Sequence, residues 1–126
     1  MLIGVGCDVI EIARVQKAIE REAFVERVYA PSEIAYCRSR GKQAAASFAA
    51  RFAAKEAVLK ALGTGLRGGE LLEIVISNDA LGKPRVQLVG YHAQLAERLG
   101  VKNIAISMSH SRATALAYVV MEGDKE

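Results

Sequence analysis

The sequence predicts an α+β fold built on a mainly antiparallel sheet packed with helices. An apolar strand pattern begins the chain, helical patterns fill the rest of its first half, and short strand patterns separated by turn residues dominate its second half. Such segregation of helices from strands is typical of the α+β class. Apolar residues make up 52% and charged residues 25% of the 126 residues, so we expect one small globular domain spanning residues 1–126.

The first half of the chain begins with a strand and continues with helices. Residues 2–7 form a short apolar run that indicates a buried strand. Residues 12–28 have the periodicity of one or two helices, and Pro31 favours the start of another, because proline suits the first helical turn. The strongest helix pattern spans residues 44–62, which are rich in alanine and are followed by Gly63, a good helix C-terminal residue.

The second half of the chain alternates strand patterns with turn residues. A glycine-rich loop over residues 63–69 leads into it, and residues 78–84 are dense in turn formers. Strands are predicted at residues 71–77, 85–89, 104–109 and 114–121, with a short helix at residues 91–99.

Composition and charge exclude several classes of protein. No run is apolar enough for a membrane span, and the N-terminus lacks the basic lead of a signal peptide, which predicts a cytoplasmic protein. Cys7 and Cys37 fit no zinc spacing and no CxxC motif, so we expect two reduced thiols. The net charge is +3, with the basic excess in residues 1–67, which favours an acidic partner such as a phosphate or an acidic protein. Nucleic-acid binding rests on the basic pI alone, since no aromatic-basic motif supports it.

The helix over residues 44–62 carries charges on a surface that is apolar or small nearly all round. Lys55 projects close to the centre of its apolar stripe, where a charge needs a partner or shifts its pKa. Glu56 and Lys60 lie to one side, four residues apart. That spacing is typical of a helix-stabilising ion pair, and the alternative is a carboxylate and an ammonium directed at one site beside the glycine loop.

Asp8 follows the apolar strand at the N-terminus. It either caps the helix that begins a few residues later or acts as a ligand at the strand end. Spacing does not establish that Asp8 and Glu56 meet. If they do, two carboxylates without a Cys or His pair would suit Mg²⁺, which completes its coordination with water and substrate phosphate.

Three basic residues lie within about 60° of one another on a helix that starts soon after Asp8. They are Arg14, Lys17 and Arg21. Either they form a solvated face balanced by Glu11 and Glu20, or they form a docking surface for an acidic partner.

A polar cluster, Ser107 to Arg112, begins in the predicted strand at residues 104–109 and continues beyond its end. His110 among serines is compatible with a hydrolase, but no GxSxG motif or triad acid accompanies it. Binding of a ligand phosphate by hydroxyls and imidazole is the more economical interpretation. His92, on the short helix, is interpreted as a structural or surface residue.

Four blocks together resemble a known family. They are GVGCDVIE at 4–11, RFAAKEA and KALGTG within 51–65, GKP at 82–84 and SMSH at 107–110. In this order and at this spacing they are similar to the holo-[acyl-carrier-protein] synthases, the small phosphopantetheinyl transferases, over essentially the whole chain. The departures are Cys7, where an aliphatic residue is more usual, and Leu71-Leu72, where an aromatic residue is often found.

The resemblance implies an enzyme of fatty acid and lipid biosynthesis. Such an enzyme transfers 4′-phosphopantetheine from coenzyme A to a serine of an apo acyl carrier protein, with Mg²⁺, and releases adenosine 3′,5′-bisphosphate. The resemblance also implies a homotrimer with active sites between subunits and an acidic carrier protein as partner. A non-catalytic module that binds coenzyme A or a nucleotide is the alternative.

The resemblance further implies roles for individual residues. Asp8 and Glu56 would hold Mg²⁺, and Glu56, with Asp8 as competing candidate, would take the serine proton. Lys60 would offset the charge of the pyrophosphate. The implied coenzyme A-binding residues are Lys60, Gly63, Thr64, Gly65, Pro84, Ser109 and His110.

Overall fold

The computed structural model describes residues 1–124, so the last two residues of the predicted domain 1–126 lie outside the described range. Within it the chain forms five strands, five α-helices and two 3₁₀ turns, Gly41–Gln43 and Leu71–Glu73. The strands and helices in chain order are β1 (Leu2–Glu11), α1 (Ile12–Ala18), α2 (Glu22–Val28), α3 (Pro31–Arg38), α4 (Ala44–Leu62), β2 (Ile74–Asn78), β3 (Pro84–Leu88), α5 (Gly90–Arg98), β4 (Val101–His110) and β5 (Thr114–Gly123).

The strands form two antiparallel sheets. One has three strands in the order β1–β5–β4, and the other is the β2–β3 hairpin. Alternate residues of the three-stranded sheet face either α4, on what we call the inner face, or the opposite side, the outer face. The predicted α+β class with antiparallel pairing is confirmed.

Several predicted boundaries differ from the observed ones. Strand β1 continues to Glu11, beyond the predicted end at residue 7, because it pairs with β5 along that whole length. Strand β2 begins only at Ile74, since the preceding three residues form a 3₁₀ turn in place of the predicted strand start at residue 71. Pairing between distant segments, which local sequence does not reveal, sets both boundaries.

The predicted helical region 12–28 forms two helices, so the three basic residues predicted to share one helix do not all lie on it. Arg14 and Lys17 are exposed on α1, which ends at Ala18. Arg21 is also exposed, but it has extended dihedral angles and flanks the start of α2. The prediction that all three share one helix face is therefore wrong for Arg21.

Helix α4 lies at the centre of the fold and contributes to both hydrophobic clusters. Strands β1, β5 and β2 and helices α1 and α3 all pack against it. Its small and apolar faces are thus covered within one chain. These faces therefore give no support to the trimer that the resemblance implies.

Two glycines of β1 allow α4 to lie directly on the strand backbone. A Cβ atom at Gly4 would lie 2.1 Å from the carbonyl oxygen of Ala61, and one at Gly6 would lie 2.0 Å from that of Ala57. These distances are too short for any side chain. The glycines therefore set the distance between β1 and α4.

A fully buried ion pair joins four segments of the chain. The Lys55 Nζ atom donates to Glu33 Oε1 at 2.8 Å and to the carbonyl oxygens of Leu71 at 3.1 Å and Ile74 at 2.5 Å. Glu33 also accepts backbone N–H groups from Ala30 and Ile76. Burial lowers the pKa of Lys55, and the Glu33 carboxylate opposes that change. The predicted need of Lys55 for a partner is confirmed, with Glu33 of α3 as the partner.

The structure agrees with two expectations from the sequence, free thiols and the lack of a membrane-spanning helix among the described residues. Cys7 is exposed and Cys37 is buried, and both are free. Burial raises the pKa of Cys37 to about 11, which keeps it a neutral thiol. Within residues 1–124 no helix is both long and apolar enough to cross a bilayer.

We expect Lys55→Met to lower the free energy of unfolding by about 3–5 kcal/mol, because it leaves the Glu33 carboxylate buried without a counter-charge. The double variant Glu33→Gln/Lys55→Met removes both charges and should be less destabilised than Lys55→Met. Urea denaturation followed by circular dichroism measures both. The control is Arg38→Met, which removes an exposed ion pair with Glu22 and should cost less than about 1 kcal/mol. Equal losses for Lys55→Met and Arg38→Met would contradict the assigned role.

Candidate functional site

The close contact of β1 with α4 brings two of the predicted catalytic groups into direct contact. The Lys60 Nζ atom donates to Asp8 Oδ1 at 3.2 Å and to the Cys7 carbonyl oxygen at 2.9 Å. Lys60 therefore reaches across to the strand, and the predicted pairing with Glu56 along the helix is not the ion pair observed. Asp8 lies within β1 and caps no helix, because Glu11 flanks α1 and makes no side-chain capping bond.

Glu56 lies half-buried on α4, one turn before Lys60. Burial raises the pKa of the Glu56 carboxyl, the nearby Asp8 carboxylate raises it further, and the Lys60 ammonium opposes both. The two carboxylates are thus close enough to repel each other. A site with two acids and one lysine retains a net negative charge, which favours a bound cation.

The donor set fits a hard divalent cation. Among the described residues no group of three or more His, Cys, Asp or Glu side chains is placed to hold a metal, so Asp8 and Glu56 would be the protein's share of the ligands. Mg²⁺ commonly takes one or two carboxylates and keeps its remaining positions for water and phosphate. The half-buried position of both acids leaves room for such ligands.

The predicted glycine loop follows α4 directly. Gly63 ends the helix with φ of 85°, and its N–H donates to the Leu59 carbonyl oxygen. Gly65 has φ of 63°, and no atom of the described chain lies within 4 Å of a Cβ built at either position. Both glycines are therefore required by left-handed backbone geometry, and the space beside them is open. Thr64 lies between them, half-buried.

The other predicted coenzyme-binding residues lie apart from this site. Pro84 begins β3 and lines an open groove of about 780 Å³ between β3, α5 and β4. Ser109 aligns across β5 with Leu116 and Val9, so it lies on the outer face, opposite to Asp8. His110 is exposed at the end of β4, with β5 between it and β1. Within a single chain, these three residues do not join Asp8 and Glu56.

The outer face of the three-stranded sheet is apolar and exposed. Val5 and Val9 of β1 and Leu116 and Tyr118 of β5 have exposed fractions between 42% and 62%. They lie side by side, since Val9 pairs with Leu116 and Cys7 pairs with Tyr118. Exposed apolar surface of this kind marks interaction sites.

Two buried charged residues, Glu33 and Arg51, were not recognised from the sequence. Glu33 gave no signal, because its partner Lys55 is distant along the chain. Arg51 is 3% exposed; it bonds to Asn78 Oδ1 at 2.6 Å and lies 4.4 Å from the Tyr36 ring centroid, and its Nε has no partner among the described residues. His92 was interpreted as either a structural or a surface residue; it is fully buried, so the structural interpretation is correct. The sequence signal that could have identified Arg51 as a buried residue was its position as a charged residue within an alanine-rich helix.

Comparison with known proteins gives a consistent family. A model described as the 4′-phosphopantetheinyl transferase superfamily matches residues 4–119. The holo-[acyl-carrier-protein] synthase of Clostridium acetobutylicum is 48% identical over 123 residues, which cover 97% of this chain and 98% of the relative. That of Trichlorobacter lovleyi is 47% identical over 125 residues, covering 97% and 98% respectively.

Solved structures match equally well. The crystal structure of holo-[acyl-carrier-protein] synthase from Neisseria meningitidis has a TM-score of 0.88 and 37% identity, covering 97% of this chain and 99% of that chain. The Helicobacter pylori holo-[acyl-carrier-protein] synthase in complex with coenzyme A has a TM-score of 0.81 and 32% identity, covering 94% and 99%. Sequence and fold agree over nearly the full length of each chain, and the protein therefore belongs to the holo-[acyl-carrier-protein] synthase family of the 4′-phosphopantetheinyl transferase superfamily.

Proposed function

We propose that this chain transfers 4′-phosphopantetheine from coenzyme A to a serine hydroxyl of an apo acyl carrier protein and releases adenosine 3′,5′-bisphosphate. The observation that carries the proposal is the grouping of Asp8, Glu56 and Lys60 where β1 meets α4, beside an open glycine loop. The relatives' names and the coenzyme A in the Helicobacter pylori structure agree with it. Such a reaction would serve fatty acid and lipid biosynthesis.

The residues of the site supply the groups that phosphoryl transfer needs. The serine oxygen forms a bond to the β-phosphorus of coenzyme A, and the bond from that phosphorus to the bridging oxygen breaks. Glu56, or Asp8 as the alternative base, accepts the serine proton. Lys60, held by Asp8 and the Cys7 carbonyl, stabilises negative charge on the pyrophosphate.

A magnesium ion fits this site, with Asp8 and Glu56 as its protein ligands. When bound, Mg²⁺ would neutralise charge on the pyrophosphate oxygens. Gly63, Thr64 and Gly65 would let backbone approach the coenzyme, since the space beside both glycines is open.

We also propose that three chains assemble through the outer face of the sheet. The support is the exposed apolar surface of β1 and β5 and the position of Ser109 on that same face. In such a trimer, Pro84, Ser109 and His110 of one subunit would complete the coenzyme site of its neighbour, which explains why they are separate from Asp8 in one chain.

The carrier protein would dock beside the site on α1. Helix α1 begins four residues after Asp8 and presents Arg14 and Lys17 to solvent, and Arg21 adds a third exposed cation at the start of α2. An acidic carrier would be guided there by its charge, and its serine would arrive near Glu56.

Intact-mass analysis of apo acyl carrier protein, incubated with this protein, coenzyme A and Mg²⁺, tests the transfer. We expect the carrier to gain the mass of one phosphopantetheine group. Asp8→Asn and Glu56→Gln should each lower kcat by at least about 10²-fold, because each removes a carboxylate from the site. Glu26→Gln, an exposed change on α2, is the control. Coenzyme A binding without any modification of the carrier would instead indicate the non-catalytic module.

The oligomeric state tests the assembly. Light scattering after size exclusion should give a trimer for the wild-type chain, and Tyr118→Glu should give monomers with little transferase activity, because it places a charge within the apolar face. Leu81→Glu is the control, since Leu81 is 96% exposed on the β2–β3 turn, outside that face. A fully active wild-type monomer would contradict the trimer.

Steady-state kinetics at low and high salt test carrier docking. Arg14→Glu and Lys17→Glu should raise the KM for the carrier several-fold, on the order expected for charges at the rim of an interface, and should flatten its dependence on salt. The KM for coenzyme A should change far less. Arg21→Glu is measured separately, because Arg21 is not on α1, and Lys42→Glu, an exposed change in the 3₁₀ turn before α4, controls for net charge. A triple reversal with the wild-type carrier KM would place docking elsewhere.

A further inference from the structure

The first turn of α5 lies close to the end of the glycine loop, at Gly68 and Gly69. A Cβ atom built at Gly68 would lie 2.9 Å from Cζ of Tyr91, and one built at Gly69 would lie 2.6 Å from Nε2 of His92. Tyr91 and His92 are also in edge-to-face contact, with ring centroids 5.6 Å apart. Unlike Gly63 and Gly65, both glycines are therefore required by close packing, and Gly68, with φ of 83°, is required by left-handed backbone geometry as well.

His92 is placed here without the hydrogen bonds that usually hold a buried imidazole. It is fully buried, and neither ring nitrogen has a partner among the described residues. Its nearest charged neighbour is Glu73, at 3.9 Å from Oε1 to Nε2, and Glu73 instead accepts the backbone N–H of His92. Burial lowers the pKa of His92, so the ring is neutral. The imidazole thus lies over the space that a side chain at Gly69 would fill.

The segment after the loop is fixed independently. The Glu73 carbonyl accepts the N–H of Val89, and Lys55 holds the carbonyl oxygens of Leu71 and Ile74. At its other end the loop is fixed to α4 by the Gly63 N–H bond to Leu59. If Tyr91 and His92 hold the loop at Gly68 and Gly69, both of its ends are anchored, and only residues 64–67 lie between the anchors.

We propose that Tyr91 and His92 are positioning residues for the coenzyme-binding loop: by packing on Gly68 and Gly69 they fix the loop that begins one turn beyond Lys60. The inference rests on the proposed function, in which this loop meets coenzyme A. A loop anchored at both ends loses less conformational entropy when the coenzyme binds, which strengthens binding without a direct contact.

Calorimetric binding of coenzyme A to the full-length protein, in the presence of Mg²⁺, tests this role without relying on turnover. Gly69→Ala places a methyl group against the imidazole, and we expect it to raise the Kd for coenzyme A on the order of tenfold. His92→Ala releases the contact and should also raise Kd. Gly69→Ala/His92→Ala should bind no more weakly than Gly69→Ala, because the added methyl occupies the space that the ring vacates.

Two further variants serve as controls. Glu70→Ala alters the exposed neighbour of Gly69 and should leave Kd close to the wild-type value. His92→Leu keeps an apolar side chain against Gly69 and should do so as well. If His92→Ala is too unstable to purify, Gly69→Ala is compared with His92→Leu and Glu70→Ala, and a Kd for coenzyme A in Gly69→Ala equal to theirs overturns the positioning role.

The outcomes separate this proposal from the proposed function. Additive losses in the double variant, or a Gly69→Ala protein that binds coenzyme A like wild type, would overturn the positioning role while the transferase activity stands. A wild-type protein that neither binds coenzyme A nor modifies the carrier would overturn both. An unchanged KM for the carrier in Gly69→Ala is expected, since the carrier contacts proposed above lie on α1 and at the start of α2 and not on the loop.

Discussion

The contact between β1 and α4 is the constraint on which the site depends. Gly4 and Gly6 bring the strand backbone against the carbonyl groups of Ala57 and Ala61, and Asp8 follows two residues later on the same strand face. At that distance the Lys60 ammonium reaches β1. A side chain at either glycine would push the helix away and separate the acids. The geometry of the charged groups is therefore set by the absence of two side chains.

Helix α4 carries one charged residue of the buried ion pair and two charged residues of the candidate site. Lys55 points into the interior and is fully buried against Glu33, whereas its neighbour Glu56 lies half-buried beside Asp8. Successive residues of a helix differ by about 100° in direction, so neighbouring charges can have opposite environments. Because the buried pair fixes the helix against α3 and β2, Glu56 and Lys60 are presented from a rigid element.

Local signals in the sequence were sufficient for α4 but not for the site. The alanine-rich run and Gly63 predicted its extent correctly, since propensity and a C-terminal glycine act within the helix. The Lys60 contact with Asp8 joins residues 52 positions apart, and spacing on one helix suggested Glu56 as the partner instead. Contacts of this kind depend on packing between elements.

The same limit explains the remaining differences. The break after Ala18 separates Arg21 from Arg14, although helical periodicity continues through the sequence. The face on which Ser109 lies depends on its register with β5, which the residues of β4 do not encode by themselves. Family resemblance identified Asp8, Glu56 and Lys60 as a group, because it carries information about contacts that periodicity lacks.

The buried pair also determines how the molecule can open. Detaching α3 would leave Lys55 without its counter-charge, and detaching β2 would remove the Ile76 amide and the Ile74 carbonyl that complete the hydrogen bonds of the buried pair. We therefore expect local unfolding of α3 or β2 alone to be costly, and their amide hydrogens to exchange with solvent chiefly when the whole chain unfolds. Residues 64–67 carry no such penalty. We expect hydrogen exchange to divide this protein between a cooperative unit around the ion pair and the faster-exchanging residues 64–67 beside it.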